Sequence, residues 1–178
     1  GGAFAVEKPD SAEDRAISAL MSTSALVDRK RLYRPRFAYM PRLRVLKACP
    51  TKKILVSKRD ARPYFHVLRV GYKWRKYLAH PPLNRGGRLL YPRHGSAPMG
   101  FAPSAGSAQA NTDCTTARAK LPEQRRLLMD ELVPLKFHIR GSIIDDIWSA
   151  EQPGSREHAV GPRWLHRTDV EWNLMGVQ

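Results

Sequence analysis

An irregular α+β fold is what this sequence predicts: short helices and a β-hairpin joined by long, extended arms rich in Pro and Gly. Three observations lead there. Fourteen prolines and twelve glycines punctuate 178 residues, too often for long helices or one large core. Hydrophobic residues make up 42% of the chain, which is enough for a modest core. Apolar periodicity is short-range everywhere, and no run approaches the roughly eighteen apolar residues that a membrane-spanning helix needs.

Residues 1–27 read as an N-terminal helix. Asp10 or Ser11 caps it, Glu13 and Asp14 sit in its first turn against the helix dipole, and Ile17, Leu20 and Met21 share a face. The chain opens Gly1-Gly2-Ala3-Phe4 without an initiator Met, the form expected of a trimmed chain or of one whose targeting segment has been removed.

Residues 28–94 read as a basic segment, extended at first because Pro35 and Pro41 oppose a helix. The triplet Leu32-Tyr33-Arg34 resembles the motif of a mitochondrial assembly-factor family. That family carries it inside a helix, and Pro35 follows at once here, so the resemblance is rejected. Further on, 53–57 and 63–70 are rich in β-branched and aromatic residues and predict a hairpin with Lys58-Arg59-Asp60-Ala61 as its turn. This basic strand pair, opened on its second strand by Arg62-Pro63-Tyr64-Phe65, loosely resembles the first hairpin of a small bacterial-type ribosomal protein family. The downstream pattern of that family is absent, so no membership follows.

Residues 95–119 read as a low-complexity linker. The tract Gly95 to Thr112, built of Gly, Ala, Ser and Pro, cannot by itself bury enough apolar area to offset its conformational entropy. Ordered, it needs a surface to lie against, which points to a large assembly. Residues 120–178 read as a small helical region with an extended tail. Pro122 and Glu123 start a helix whose face is Leu121, Leu128 and Leu132. Phe137-His138-Ile139 suggests a short strand, Ile143, Ile144, Ile147 and Trp148 a short amphipathic helix, and residues from Gln152 onward a tail anchored by its tryptophans.

The net charge is +15, and it is unevenly placed. Residues 1–27 sum to −2, residues 28–94 to +18 and residues 95–178 to −1. Such a field favours polyanions: nucleic acid first, acidic lipid or acidic protein second. The candidate RNA contacts follow from that segment. Arg29, Arg31, Arg34, Arg36, Arg42 and Arg44 line its extended start, and Lys52, Lys53, Lys58 and Arg59 its expected hairpin. Lys73, Trp74, Arg75 and Lys76 interleave cations with an aromatic ring, the pairing that neutralises phosphates and stacks on unpaired bases. Arg85 and Arg88 flank Gly86-Gly87, whose bare backbone suits close approach to phosphates, and Arg93 follows. Trp148, Trp164 and Trp172 are the candidate protein-docking anchors of the near-neutral C-terminal region.

Local signatures of catalysis are absent. Cys49 and Cys114 form no Cys-x-x-Cys pair, and the six histidines have no metal-ligand spacing. No serine lies in a Gly-x-Ser-x-Gly elbow. Asp145-Asp146, adjacent on an expected helix, would point about 100° apart and read as a solvated face. The expectation is therefore a non-catalytic structural subunit without cofactor or metal, most simply a mitochondrial matrix ribosomal protein contacting ribosomal RNA and neighbouring subunits. The alternative is an accessory subunit on the matrix side of a respiratory-chain complex, its cations meeting acidic proteins and lipid head groups.

Overall fold

The computed structural model describes residues 2–7, 14–62, 64–134, 137–154 and 159–177. In chain order the elements are β1 (Gly2–Glu7), β2 (Asp14–Ala19), α1 (Met21–Ala25), β3 (Leu55–Asp60), α2 (Tyr64–Val67) and α3 (Tyr72–Arg75), then β4 (Leu83–Arg85), β5 (Arg88–Leu90), α4 (Ala102–Arg118), β6 (His138–Ile143), β7 (Asp146–Glu151) and α5 (Gly161–Leu174). The fold is α+β and irregular, mixing short helices with small antiparallel sheets. The chain divides into two units, residues 1–33 with 64–107, and residues 34–63 with 108–178. The basic segment 28–94 is thus shared between both units rather than forming one arm.

In unit 1, β1 and β2 form an antiparallel hairpin, with Gly2 opposite Ala19 and Glu7 opposite Asp14. This replaces the expected N-terminal helix: Val6 and Ile17 favour strand, and each run finds its ladder partner in the other. Only Met21–Ala25 is helical, while the expected caps Asp10 and Ser11, with Glu13, lie outside the described residues. Residues 64–67, expected as the second strand of a hairpin, form α2 instead, with Tyr64 buried. From there the chain doubles back. Val70 N–H donates to Gly95 O at 3.0 Å, His80 N–H to Pro92 O at 2.8 Å and His94 N–H to Leu78 O at 3.0 Å. Leu78 is fully buried beneath this double run. Between its arms β4 and β5 pair across Gly86-Gly87, with φ of +59° and +74°. Positive φ at both central residues is the signature of a tight two-residue hairpin turn, which side chains larger than Asn enter only under strain.

Unit 2 holds a three-stranded antiparallel sheet in the order β3-β7-β6. Leu55 pairs with Glu151 and Asp60 with Asp146, so the predicted turn residues 58–60 are strand, and the strand's partner is distant in sequence. The expected 137–139 strand is present as β6, starting at His138. The amphipathic helix expected at 143–148 is instead the β6–β7 turn and the body of β7, with Ile144 at a φ of +56°. Ile147, fully buried, and Trp148 alternate across the sheet as strand residues do. Residues 121–134 are not a helix either: only Glu123–Arg125 makes a 3-10 turn. Leu127, Ile139 and Ala150 form one core cluster, closed by Leu43, Leu46, Phe137 and Trp148. A second cluster joins Ala119, Leu121 and Trp164.

The expected linker 95–119 is mostly α4. Alanine favours helix, and the buried face of this one is polar, with Gln109 and Thr112 bonded across it and Ser104 Oγ left without a partner among the described residues. Gln109 Nε2 donates to Ser142 Oγ at 3.1 Å and to Asp113 Oδ1 at 2.9 Å, while its Oε1 accepts from Ile144 N–H at 2.7 Å. Thr112 Oγ1 donates to Ile144 O, so the two side chains hold the β6–β7 turn by both its donor and its acceptor. The expected extended tail is likewise helical, as α5, whose Trp164, Leu165, Thr168 and Trp172 face inward. Among the described residues no helix is long and apolar enough to cross a membrane.

Candidate polyanion interface

Residues 64–107 carry seven Lys or Arg and no Asp or Glu. Six of the seven, Lys73, Arg75, Lys76, Arg85, Arg88 and Arg93, were singled out from the sequence, and Arg69 is the addition. The fold presents them differently from the extended strand that the Tyr72–Tyr77 run allowed. Gly71 starts the short helix α3, and one helical turn brings Trp74 and Tyr77 together, with ring centroids 6.0 Å apart and planes inclined at 56°. Lys76 Nζ stands 4.9 Å from the centre of the Tyr77 ring, a cation–π contact. Tyr72, Lys73, Trp74, Lys76, Tyr77 and Arg93 line one open concavity of about 650 Å³. Tyr72 is 81% exposed and Trp74 60%, values at which neither ring contributes much to a core.

The scaffold beneath is fixed by polar links within unit 1. Thr23 Oγ1 donates to Tyr77 O at 3.2 Å, and Arg75 Nε donates to Val70 O at 3.2 Å, which ties Arg75 to the backbone; Lys73, Lys76 and Arg93 line the concavity without an acidic partner among the described residues. The His80 and His94 rings lie 4.4 Å apart with planes inclined at 45°, and Ser18 Oγ is 2.9 Å from His94 Nε2. Partial burial, with the neighbouring His80, pushes the His94 imidazole below its ordinary range, so it stays neutral at pH 7. Arg85 and Arg88 lie opposite one another at the end of the β4–β5 ladder, exposed and flanked by exposed Leu83, Leu89 and Leu90. Arg29 and Arg31 are exposed on a 3-10 turn capped by Asp28, and Arg31 Nε is 3.3 Å from that carboxylate.

Unit 2 treats its predicted contacts otherwise. Arg36 donates to Asp130 at 2.9 Å and Glu131 at 2.6 Å, which drives its guanidinium pKa up and that of Asp130 down. Arg42 Nη1 donates to the carbonyls of Leu128, Met129 and Glu131. Lys58 pairs with Asp146 at 2.9 Å, which raises its pKa, and Arg59 pairs with Asp169 at 3.1 Å. Each of these four, expected as an RNA contact, thus already has a partner within unit 2. Arg34, Arg44, Lys52 and Lys53 are exposed, and none has an acidic partner among the described residues.

Two buried cations went unseen in the sequence. Arg126, 6% exposed, bridges Asp113, Glu123 at 3.1 Å and Arg36 O at 2.9 Å. Arg140, 1% exposed, meets Glu123 at 2.5 Å and Pro122 O at 3.1 Å. No local pattern announces them, since each sits among residues that read as surface.

The docking tryptophans are corrected too. Trp164 and Trp172 are buried within unit 2, and Trp164 stacks on His138 with centroids 4.1 Å apart and planes only 9° off parallel. Trp148 is half-buried over the sheet. Both cysteines are free and exposed. Among the described residues no three His, Cys, Asp or Glu side chains cluster as a metal site would need. No family model matches this chain, and no curated protein matches it.

Proposed function

We propose that this protein is a non-catalytic RNA-binding subunit of a ribonucleoprotein assembly, and that the assembly is a mitochondrial matrix ribosome. One observation carries the RNA reading: an exposed Trp and two exposed Tyr line a concavity with Lys73, Lys76 and Arg93, in a stretch without a single carboxylate. Cations there are free to neutralise phosphates, and rings of this exposure suit unpaired bases. The ribosomal and mitochondrial parts rest on the charge pattern alone, +18 in residues 28–94 between near-neutral flanks.

The test is a salt titration of the full chain against labelled single-stranded RNA, duplex RNA and cardiolipin-containing vesicles. The expected result is preference for the single strand, with log K falling by about 0.7 per decade of salt for each phosphate neutralised, a total slope near −2 to −4. A flat salt response overturns the proposal. The exposed Leu83, Leu89 and Leu90 beside Arg85 and Arg88 favour one second reading, an accessory subunit seated on acidic lipid and protein in a respiratory-chain complex. Vesicle binding without RNA binding would establish that reading instead. Co-sedimentation of the tagged chain with ribosomes of a mitochondrial lysate, lost on RNase treatment, tests the cellular assignment.

A further inference from the structure

Unit 2 has its own concavity, of about 740 Å³, and its lining is unlike that of the aromatic groove in unit 1. Lys47, Lys52, Arg125 and Arg163 stand around it, drawn from three separate places: the loop after the Met40–Val45 turn, the Glu123–Arg125 turn and the first turn of α5. None of the four is ion-paired among the described residues, in a unit where Arg36, Lys58, Arg59 and Arg118 all are. The one carboxylate among the described lining residues, Glu151, is buried and already engaged: it accepts Val160 N–H at 3.0 Å and Gly161 N–H at 2.7 Å at the start of α5. The wall is therefore strongly positive toward solvent.

The site is also held in shape before anything enters it. Gln152 clamps the Cys49–Lys52 loop on both sides, its Oε1 accepting Cys49 N–H at 2.7 Å and its Nε2 donating to Cys49 O at 2.9 Å and Lys52 O at 3.0 Å. Phe137 and Val160 add an apolar portion to the lining. Four cations around one concavity, a pinned loop, an apolar portion and a volume in the range of small-molecule sites suit a chain of phosphates on a compact body.

We propose that this concavity of unit 2 binds a small triphosphate-bearing ligand, its phosphates held by Lys47, Lys52, Arg125 and Arg163. The proposal does not depend on the RNA reading, whose residues lie in unit 1. A thiol at the rim supplies a direct readout. Cys49 is exposed, and a hydrogen bond from the Thr51 hydroxyl at 3.1 Å, helped by Lys52, lowers its pKa and so favours the thiolate, the form that alkylating agents attack. A bound polyanion both covers this thiol and opposes its ionisation.

The experiment titrates the full chain, in a Cys114→Ser background, with ATP, inorganic tripolyphosphate and adenosine, and follows calorimetric heat and the alkylation rate of Cys49. ATP and tripolyphosphate are expected to bind below about 1 mM and to slow alkylation, while adenosine does neither. ATP binding more tightly than tripolyphosphate identifies a nucleotide as the ligand, and equal binding identifies inorganic polyphosphate. The Lys52→Ala/Arg163→Ala pair is expected to weaken both by about tenfold or more, and Lys30→Ala, exposed in unit 1 and part of neither concavity, to leave them unchanged. Arg125→Glu repeats the test at a third wall position, should the double variant melt early. Absence of binding by either phosphate compound, or binding indifferent to these wall substitutions, overturns the proposal.

Discussion

Among the described residues, every ion pair but Arg31–Asp28 lies in unit 2, while in unit 1 the long stretch 64–107 has cations and no carboxylate. Arg126 and Arg140 are buried in unit 2 as structural members, with Asp113 and Glu123 built in as their counter-charges. Lys73, Lys76 and Arg93 stand in solvent around aromatic rings. Net charge by region does not separate these two situations, because a cation committed to a neighbouring carboxylate counts the same as one available to a partner. Partnering decides function. The two units accordingly make different demands on substitution.

The largest effect is expected from Gly141→Ala in β6. A Cβ there would overlap the Trp148 ring and stand 2.7 Å from Ala38 Cβ, with no flexible side-chain end to give way. Unit 2 should lose about 3 kcal/mol or more, read as a lower denaturation midpoint by tryptophan fluorescence. Arg126→Ala comes next. It takes a buried cation out from between Asp113 and Glu123, which keep their bonds to Gln109 and Arg140, and should cost unit 2 about 2–3 kcal/mol, again by denaturant titration, with RNA affinity intact if the polyanion face belongs to unit 1. Equal loss of RNA affinity would break the proposed division of labour.

Trp74→Ala reverses the pattern. Single-stranded RNA affinity should fall by about 1–3 kcal/mol while the melting midpoint barely moves, since the ring is exposed. A pH titration sharpens the comparison further. The folded-state pKa of His94 lies below its unfolded value near 6.5, so unit 1 has the full contribution above that value and loses it as pH falls through the folded pKa. Asp145 in unit 2 runs the other way: burial raises its carboxyl above the ordinary 3.8, so acidification through the range just above 3.8 favours its folded form. Probes specific to each unit should therefore show unit 1 weakening first between about pH 7 and 5. Smallest is Gly86→Asn, expected to cost under about 1 kcal/mol because Asn tolerates positive φ, whereas Gly86→Val should cost clearly more.

What the sequence made legible follows a physical rule. The α+β class, the 137–139 strand and the cluster at Lys73–Lys76 were readable because composition, β-branched runs and interleaved charge are local signals. The helix α4 was not, since its buried face is Gln109, Thr112, Thr115 and Thr116, and hydrophobic periodicity is silent when a buried face is polar. The hairpin predicted at 53–70 failed for another reason. Lys53–Ser57 did read as strand-forming, but the partner of β3 is β7, far along the chain, and no local pattern encodes a distant partner. The same holds for Arg36 and Lys58, whose acidic mates at 130, 131 and 146 turn them from surface charge into fold.

The pairing of β3 with β7 also has a consequence in time. Unit 1 has every one of its residues once the chain has grown to Ser107, but β3 must wait for β7, some ninety residues after it leaves the tunnel. At about 5–20 residues per second that is a delay of roughly 5–20 seconds, during which the 34–63 stretch, ten cations and one carboxylate, waits for its distant acidic partners. The positive charge that serves as internal mortar in the finished unit is, in that interval, a nascent polyelectrolyte. Synthesis order alone makes unit 1 the first part of the molecule able to fold.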